Sequence, residues 1–260
     1  MQAPDAERDL LIDAARAAGE VAMRHFRNAP EVWEKDDDQG PVTEADLEVN
    51  ALLEERLRGA RPGYGWLSEE SPPCPDRLSA VRSFIIDPID GTRAFIQGTS
   101  AFAHSLAVVE AGEVIAGVVF LPAQDRLYAA ARGAGATLNG AAIRVSQTQT
   151  LARADLLAAK PAFDPKHWPG GLEGAKRSHR PSLAYRLCLV AEGRFDAMIT
   201  LRRAWEWDIA AGTLVVREAG GVVTDSGGIE APFNAPEAAH AGCLAAPPPI
   251  HAALLKARGL

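Results

Sequence analysis

The chain has 260 residues, 47% hydrophobic and 23% charged, enough to bury a sizeable core and unlike a disordered or fibrous protein. Its formal charge of −7 argues against a nucleic-acid polymer or an anionic membrane as main partner. Cys74, Cys188 and Cys243 lie in no CxxC or histidine-flanked pattern, so they read as reduced packing residues, not a disulfide frame or zinc site. The opening Met-Gln-Ala-Pro-Asp-Ala-Glu-Arg is unlike a signal peptide, and no run reaches the roughly 18 apolar residues of a membrane span. A cytoplasmic protein is expected.

Apolar residues at near-helical spacing predict a first helix over 9–26. An acidic stretch follows, with Asp36, Asp37 and Asp38 as a solvated run. Thr43 then stands as N-cap, with Asp46 in the capping-box position of a helix running past Leu57. Residues 64–67 read as a short strand ending in a turn that carries Glu69 and Glu70, and residues 84–86 as a buried one. Residues 102–110, 113–121 and 126–131 form an antiparallel meander. Further on come a strand at 152–159, a loop-rich stretch at 161–181 and a helix at 182–192 ended by Gly193. A strand at 195–200 and a helix at 207–219 complete the pattern. The front half is α+β and the back half alternates as α/β, which predicts two sub-domains, 1–145 and 146–260.

The chemistry gathers at "FIIDPIDGTRAF", residues 84–95, where Asp87 and Asp90 close an apolar run. Carboxylates at the end of a buried strand are costly unless hydrogen bonds or a cation neutralise them. Pro88 and Gly91 suit a rigid turn that aims side chains and amides at one point. The spacing is Asp-x-x-Asp, not the Asp-x-Asp of aspartate-nucleophile phosphatases. No phosphate loop or nucleophile elbow occurs, and "GAGATLNG" lacks the third glycine of a dinucleotide fingerprint. Asp46, Glu69-Glu70 and Asp208 also stand at element ends. No histidine accompanies them in sequence, which favours an oxygen-only site for Mg²⁺ over zinc.

Taken together, "PVTEAD" at 41–46, "SEES" at 68–71, "DPIDGT" at 87–92 and "WDIAAG" at 207–212 resemble the inositol monophosphatase superfamily of Mg²⁺-dependent, lithium-sensitive phosphomonoesterases. The resemblance covers nearly the whole chain in the right order. It implies a layered αβαβα sandwich, a homodimer, and two or three Mg²⁺ ions per site. Glu69, Asp87 and the Ile89 carbonyl would hold one ion, and Asp87, Asp90 and Asp208 a second. Asp46 and Thr92 would activate the attacking water, and the Gly91 and Thr92 amides, with Asp90, would take the phosphate. Lys35 sits where the family often has a lysine near the site, and reads equally as a solvated residue.

The substrate is less defined. The inositol-specific branch carries a glutamate seven residues before the "WD" aspartate, where this chain has Leu201. "WLSEESPP", "DGTRAFI" with Arg93, and "SLAYRLCLVAEG" are similar to the bisphosphate nucleotidase branch, which hydrolyses 3′-phosphoadenosine 5′-phosphate. That lean has inositol 1-phosphate as its alternative, and a non-catalytic regulatory member as a reading of another class. Lys160, Lys166, Lys176, Arg177, His179 and Arg180 could rim a second phosphate or form a solvated loop. Trp205 and Trp207 read as packing residues, with Trp207 orienting Asp208, and His104 as a satisfied core histidine.

Overall fold

The computed structural model describes residues 2–34 and 40–260. The readings of Lys35 and of Asp36, Asp37 and Asp38 fall outside the described residues. Helix α1, Pro4–His25, opens with a proline and with Asp5 and Glu7 in its first turn, and closes on Arg24 and His25, matching the helix dipole at both ends. The short ribbon of β1 (Val32–Glu34) and β2 (Pro41–Thr43) leads into α2, Glu44–Ala60. The capping box is present: the Thr43 hydroxyl oxygen accepts the Asp46 amide, and Asp46 Oδ2 accepts the Thr43 amide at 2.9 Å.

The chain then builds a seven-stranded sheet from β3 (Gly65–Ser68), β4 (Arg82–Asp90), β5 (Ala103–Glu110), β6 (Glu113–Leu121), β7 (Arg126–Ala131), β8 (Ala136–Leu138) and β9 (Ala141–Ala142). Only the β3–β4 pair is parallel. The five-residue helix α3, Thr92–Ile96, follows β4. The back half supplies β10 (Asp155–Ala158), β11 (Lys176–Ser178), α4 (Leu183–Ala191), β12 (Ala197–Thr200), β13 (Ala204–Trp205), α5 (Glu206–Glu218), β14 (Val222–Thr224), β15 (Ala239–His240), β16 (Cys243–Ala246) and α6 (Pro248–Ala257). Its main sheet has the order β11-β10-β12-β16-β14, and β13 pairs with β15 apart from it.

Strand alternation sorts the core into layers. Phe84, Ile86 and Leu106 face Leu11, Val49 and Leu53 of α1 and α2. Ile85, Ala107 and Val119 face the other way, onto Leu187 of α4 and Leu214 and Val215 of α5, whose far side meets Leu157, Met198 and Ala245 of the second sheet. Ile250 and Leu254 of α6 cover that sheet's outer face. The result is the αβαβα sandwich the resemblance implies. Helix α5 lies tight on β6 because residue 117 is glycine: a Cβ there would stand 2.9 Å from the Ala211 carbonyl oxygen.

The sequence pattern marks no element after Gly221, where the structure has β14, β15, β16 and α6. Strands of two to four residues, buried on both sides, are too short to display a period. Among the described residues no helix is long and apolar enough to cross a membrane.

Candidate metal-dependent active site

A cleft of about 810 Å³ opens where the end of β4 meets the starts of α3 and α5, the α4 region and residues 199–205. In a regular strand, residues three apart point to opposite faces, yet Asp87 and Asp90 both line this cleft. The β4–β5 ladder explains it. Asp87 lies opposite Ser105 and Asp90 opposite Ala103, so Pro88 and Ile89 together face the single residue His104. This is a β-bulge, and its extra residue restores both carboxylates to one side. Pro88 fits there without sacrificing an amide donor, since it has none. Gly91 then turns the chain at φ 96°, where a Cβ would come within 3.1 Å of the Ala101 carbonyl oxygen.

Glu69, Asp87 and Asp208 each offer a carboxylate oxygen within 4.8 Å of the others. The Glu69 amide donates to the Ile86 carbonyl, which ties the turn after β3 to the residue before Asp87. That turn is braced by Ser68, whose hydroxyl donates to Asn50 Oδ1 at 2.7 Å. Asp208 comes from the other half of the chain, in the first turn of α5. Ser105, opposite Asp87 in the ladder, donates its hydroxyl to the Trp207 carbonyl at 2.8 Å and so joins the two halves beside the acids.

Asp87 is 1% exposed and neither of its oxygens has a hydrogen-bond partner. Burial, then the charges of Glu69 and Asp90, push its carboxyl well above the ordinary range; burial, Asp90 and Glu69 do the same to Asp208. Three converging carboxylates with an orphaned buried member form an all-oxygen donor set that fits a hard divalent cation such as Mg²⁺. Asp90 borders this group. Its Oδ2 accepts from the Ser182 hydroxyl and the Ala184 amide, both at 2.6 Å, and burial leads the rise of its pKa to about 6.

Asp46 is buried behind the acids. Its Oδ2 accepts from the Thr43 amide and hydroxyl, and its Oδ1 lies 3.2 Å from the Thr92 hydroxyl. The same hydroxyl is 3.1 Å from the Ile89 carbonyl oxygen, so its one proton serves one acceptor at a time. Asp46, Thr92 and Ile89 therefore meet at one point, beside the amide-bearing turn of Gly91 and Thr92.

Three expectations need correction. Of the stretch 160–180, Pro161, Ala162, His167 and His179 line the cleft, but Lys160, Lys166, Lys176, Arg177 and Arg180 do not, which favours the solvated-loop reading for those cations over the phosphate rim. Among the described residues the cleft's arginines are Arg93, Arg186, Arg202 and Arg203. Trp205 and Trp207 are not packing residues alone: they stack at 4.8 Å and 9° along the cleft wall, with the Arg203 guanidinium 4.3 Å above the Trp205 ring. His104 is only half satisfied. Its Nδ1 lies 2.5 Å from the Pro88 carbonyl oxygen, its Nε2 has no partner, and burial pushes its pKa down to about 4.

Arg186 carries the signal the motif reading missed, a lone charge inside the apolar helix 183–191. It is 6% exposed. Its Nε donates to the Arg180 carbonyl at 2.5 Å and its Nη2 to His179 Nε2 at 2.8 Å. It forms no ion pair with any described residue, and burial pushes its guanidinium down to about 10.

A profile of the Inositol monophosphatase family matches residues 5–258. The chain belongs to the inositol monophosphatase family. The "Inositol-1-monophosphatase" of Rhizobium meliloti (strain 1021) is 36% identical over 245 residues, 87% of this chain and 88% of that protein. The "Fructose-1,6-bisphosphatase/inositol-1-monophosphatase" of Thermotoga maritima is 37% identical over 225 residues, 86% of each. The crystal structure of the extragenic suppressor protein suhB from Bartonella henselae superimposes with a TM-score of 0.84 at 30% identity, covering 97% of this chain and 98% of that one. Inositol monophosphatase family members are metal-dependent phosphatases, so this protein is a phosphoric monoester hydrolase. None of the three relatives is named a bisphosphate nucleotidase, which gives the inositol-phosphate alternative firmer support than the nucleotide lean.

Proposed function

We propose that this inositol monophosphatase family protein hydrolyses a small phosphate monoester with Mg²⁺, with inositol 1-phosphate as its first candidate substrate. The observation that carries the reading is Asp87: a buried carboxylate without a hydrogen-bond partner, within 4.8 Å of Glu69 and Asp208 at the cleft. Glu69, Asp87, Asp208 and the Ile89 carbonyl would hold the cations. Asp90 would contribute its Oδ1, since Ser182 and Ala184 occupy Oδ2. Bound Mg²⁺ would neutralise the phosphate's charge and make water a competent nucleophile near neutral pH. Asp46 orients the Thr92 hydroxyl and can accept a proton through it, so the pair would hold the attacking water and take its proton. The turn of Gly91 and Thr92 would receive the phosphate. The Rhizobium and Thermotoga relatives named for inositol-1-monophosphatase activity support the substrate. Lithium sensitivity and a cytoplasmic homodimer belong to the same reading. Phosphate release from inositol 1-phosphate, dependent on Mg²⁺ and abolished by chelator, tests it. No release from any monoester would favour a non-catalytic, regulatory member of the family.

A second reading, a substrate with a further anionic group such as 3′-phosphoadenosine 5′-phosphate, rests on Arg186. A buried guanidinium whose hydrogen bonds go to neutral acceptors, and which feels Asp90 and Asp208 only at a distance without an ion pair to either, invites an anion. Leu201 lines the same wall, where the inositol branch would have its glutamate, and the Trp205–Trp207 stack offers a flat face beside it. Comparing rates on the two substrates at matched Mg²⁺ separates these readings.

A further inference from the structure

The bulge that aims Asp87 and Asp90 into the cleft has one residue opposite it, and that residue is His104. A bulge interrupts the ladder, so its backbone groups need partners from elsewhere. The bulge lies within β4, every residue of which is buried, and Pro88 is not among the residues that line the cleft. The Pro88 carbonyl is met by the His104 side chain, with Nδ1 at 2.5 Å. The next carbonyl, Ile89, is met by the Thr92 hydroxyl. His104 from β5 therefore holds the Pro88 carbonyl by itself, while at Ile89 the one Thr92 proton is shared with Asp46.

We propose that His104 is a positioning residue for the metal-holding carboxylates: by donating from Nδ1 to the Pro88 carbonyl it locks the bulge that sets the directions of Asp87, Asp90 and the Ile89 carbonyl. A carbonyl oxygen can only accept, so Nδ1 carries a proton, and in a fully buried ring with no anion beside it among the described residues the neutral Nδ1–H tautomer leaves Nε2 as a bare acceptor. That accounts for the partnerless Nε2 of a ring set among Phe102 and Phe120, whose ring centroids lie 6.5 and 6.3 Å from its own. Packing alone calls for no ring nitrogen here, and a leucine would fill the space without stranding an acceptor. The polar ring is explained by the carbonyl it serves. With that donor gone, the Pro88–Ile89 peptide plane is free to rotate, and the acids on either side lose their common aim.

The inference rests on the reading that these acids bind a divalent cation, and the test separates the two. Mn²⁺ binding to the full chain is measured by calorimetry without substrate, with Mg²⁺ as competitor. His104→Leu, which removes the donor and keeps the bulk, is expected to weaken Mn²⁺ binding about tenfold or more, as loss of an outer-shell partner commonly does. His104→Asn, whose side-chain amide can donate from nearly the same place, is expected to stay within about threefold of the parent. KM for the phosphate monoester at saturating Mg²⁺ should be unchanged in both. In the unmodified protein, nitrogen-15 NMR of the histidines should show His104 as the Nδ1–H tautomer with a slowly exchanging proton, a result independent of whether any variant folds. An Nε2–H tautomer, parental Mn²⁺ affinity in His104→Leu, or equal damage in both variants overturns the proposal. Failure of the unmodified protein to bind Mn²⁺ overturns the cation reading itself, and the positioning role with it.

Discussion

The two walls of the cleft are built in opposite ways. On one, Glu69, Asp87, Asp90 and Asp208 crowd together, and Asp87 lacks any neutralising partner. On the other, Arg186 is buried without a carboxylate, beside Arg202, Arg203 and two stacked tryptophans. Arg186 and the Asp90 and Asp208 carboxylates attract one another through space, but among the described residues no ion pair joins the two walls. The difference teaches that the site is arranged for a ligand of alternating charge. On the proposed function, cations would complete the acidic wall, and an anionic substrate would bridge from those cations toward the arginines.

The acidic wall breaks most completely at Asp87. Asp87→Asn is expected to abolish detectable cation binding and lower kcat/KM by about three orders of magnitude or more, read from phosphate release and calorimetry. The same change should raise the melting temperature of the metal-free protein, because it removes a buried charge repelled by Glu69 and Asp90. A parallel fall of activity and metal-free stability would contradict the account of the wall as a strained cage.

Next in size is the arginine wall. Arg186→Met should lower kcat/KM for a bisphosphate substrate about tenfold to a hundredfold while leaving inositol 1-phosphate within about twofold, since only the former brings a second anion to the guanidinium. Equal losses on both substrates would place Arg186 with the folding of α4 and not with recognition.

The pH dependence of stability sharpens the contrast further. Asp90 has a folded-state pKa of about 6 against an ordinary 3.8, and Asp87 and Asp208 are raised as well. Carboxyls raised by folding stabilise most while protonated. For Asp90 that contribution, about 3 kcal/mol, is complete below pH about 4 and is lost as pH rises through about 6; those of Asp87 and Asp208 are likewise lost with rising pH. Bound Mg²⁺ removes that loss by neutralising the ionised acids. The gap in melting temperature between Mg²⁺-loaded and metal-free protein should therefore widen from pH 4 to pH 7; a constant gap would sink this assignment. The smallest effect is expected from Leu201→Glu, which should raise turnover of inositol 1-phosphate a few-fold by placing an acceptor for a ring hydroxyl on the arginine wall.

The acidic wall was legible before any coordinates because its residues stand at element ends: Asp46 behind a capping box, Glu69 after a short strand, Asp87 and Asp90 at a strand-to-turn junction. Such junctions announce themselves by proline, glycine and threonine at fixed offsets. The arginine wall was not legible in that way. Arg186 hides within an apolar helix, and Arg202 and Arg203 sit in a bend whose neighbours are set by β12 and β13. The stretch 160–180 drew attention through charge density alone, and charge density says nothing about which way a side chain points. His104 was read as core for the same reason: its burial follows from β5, but its partner lies across a bulge that no local pattern reveals.

Residue order and residue type by themselves determined the family, the layered αβαβα architecture and the carboxylates at the ends of its elements. The helices, strands and end-placed carboxylates depend on short-range periodicity and turn chemistry that a chain carries locally, whereas the family and its layered architecture follow from the resemblance of the four motifs in their order. The tertiary structure alone decided that Asp87 and Asp90 share a face, that Ser105 holds the start of α5 beside them, and that Arg186 confronts the cleft without a counter-ion. Each of these is a relation between segments distant in sequence, set by ladder register and by how closely helices lie on sheets, and a one-residue shift in either would reverse it.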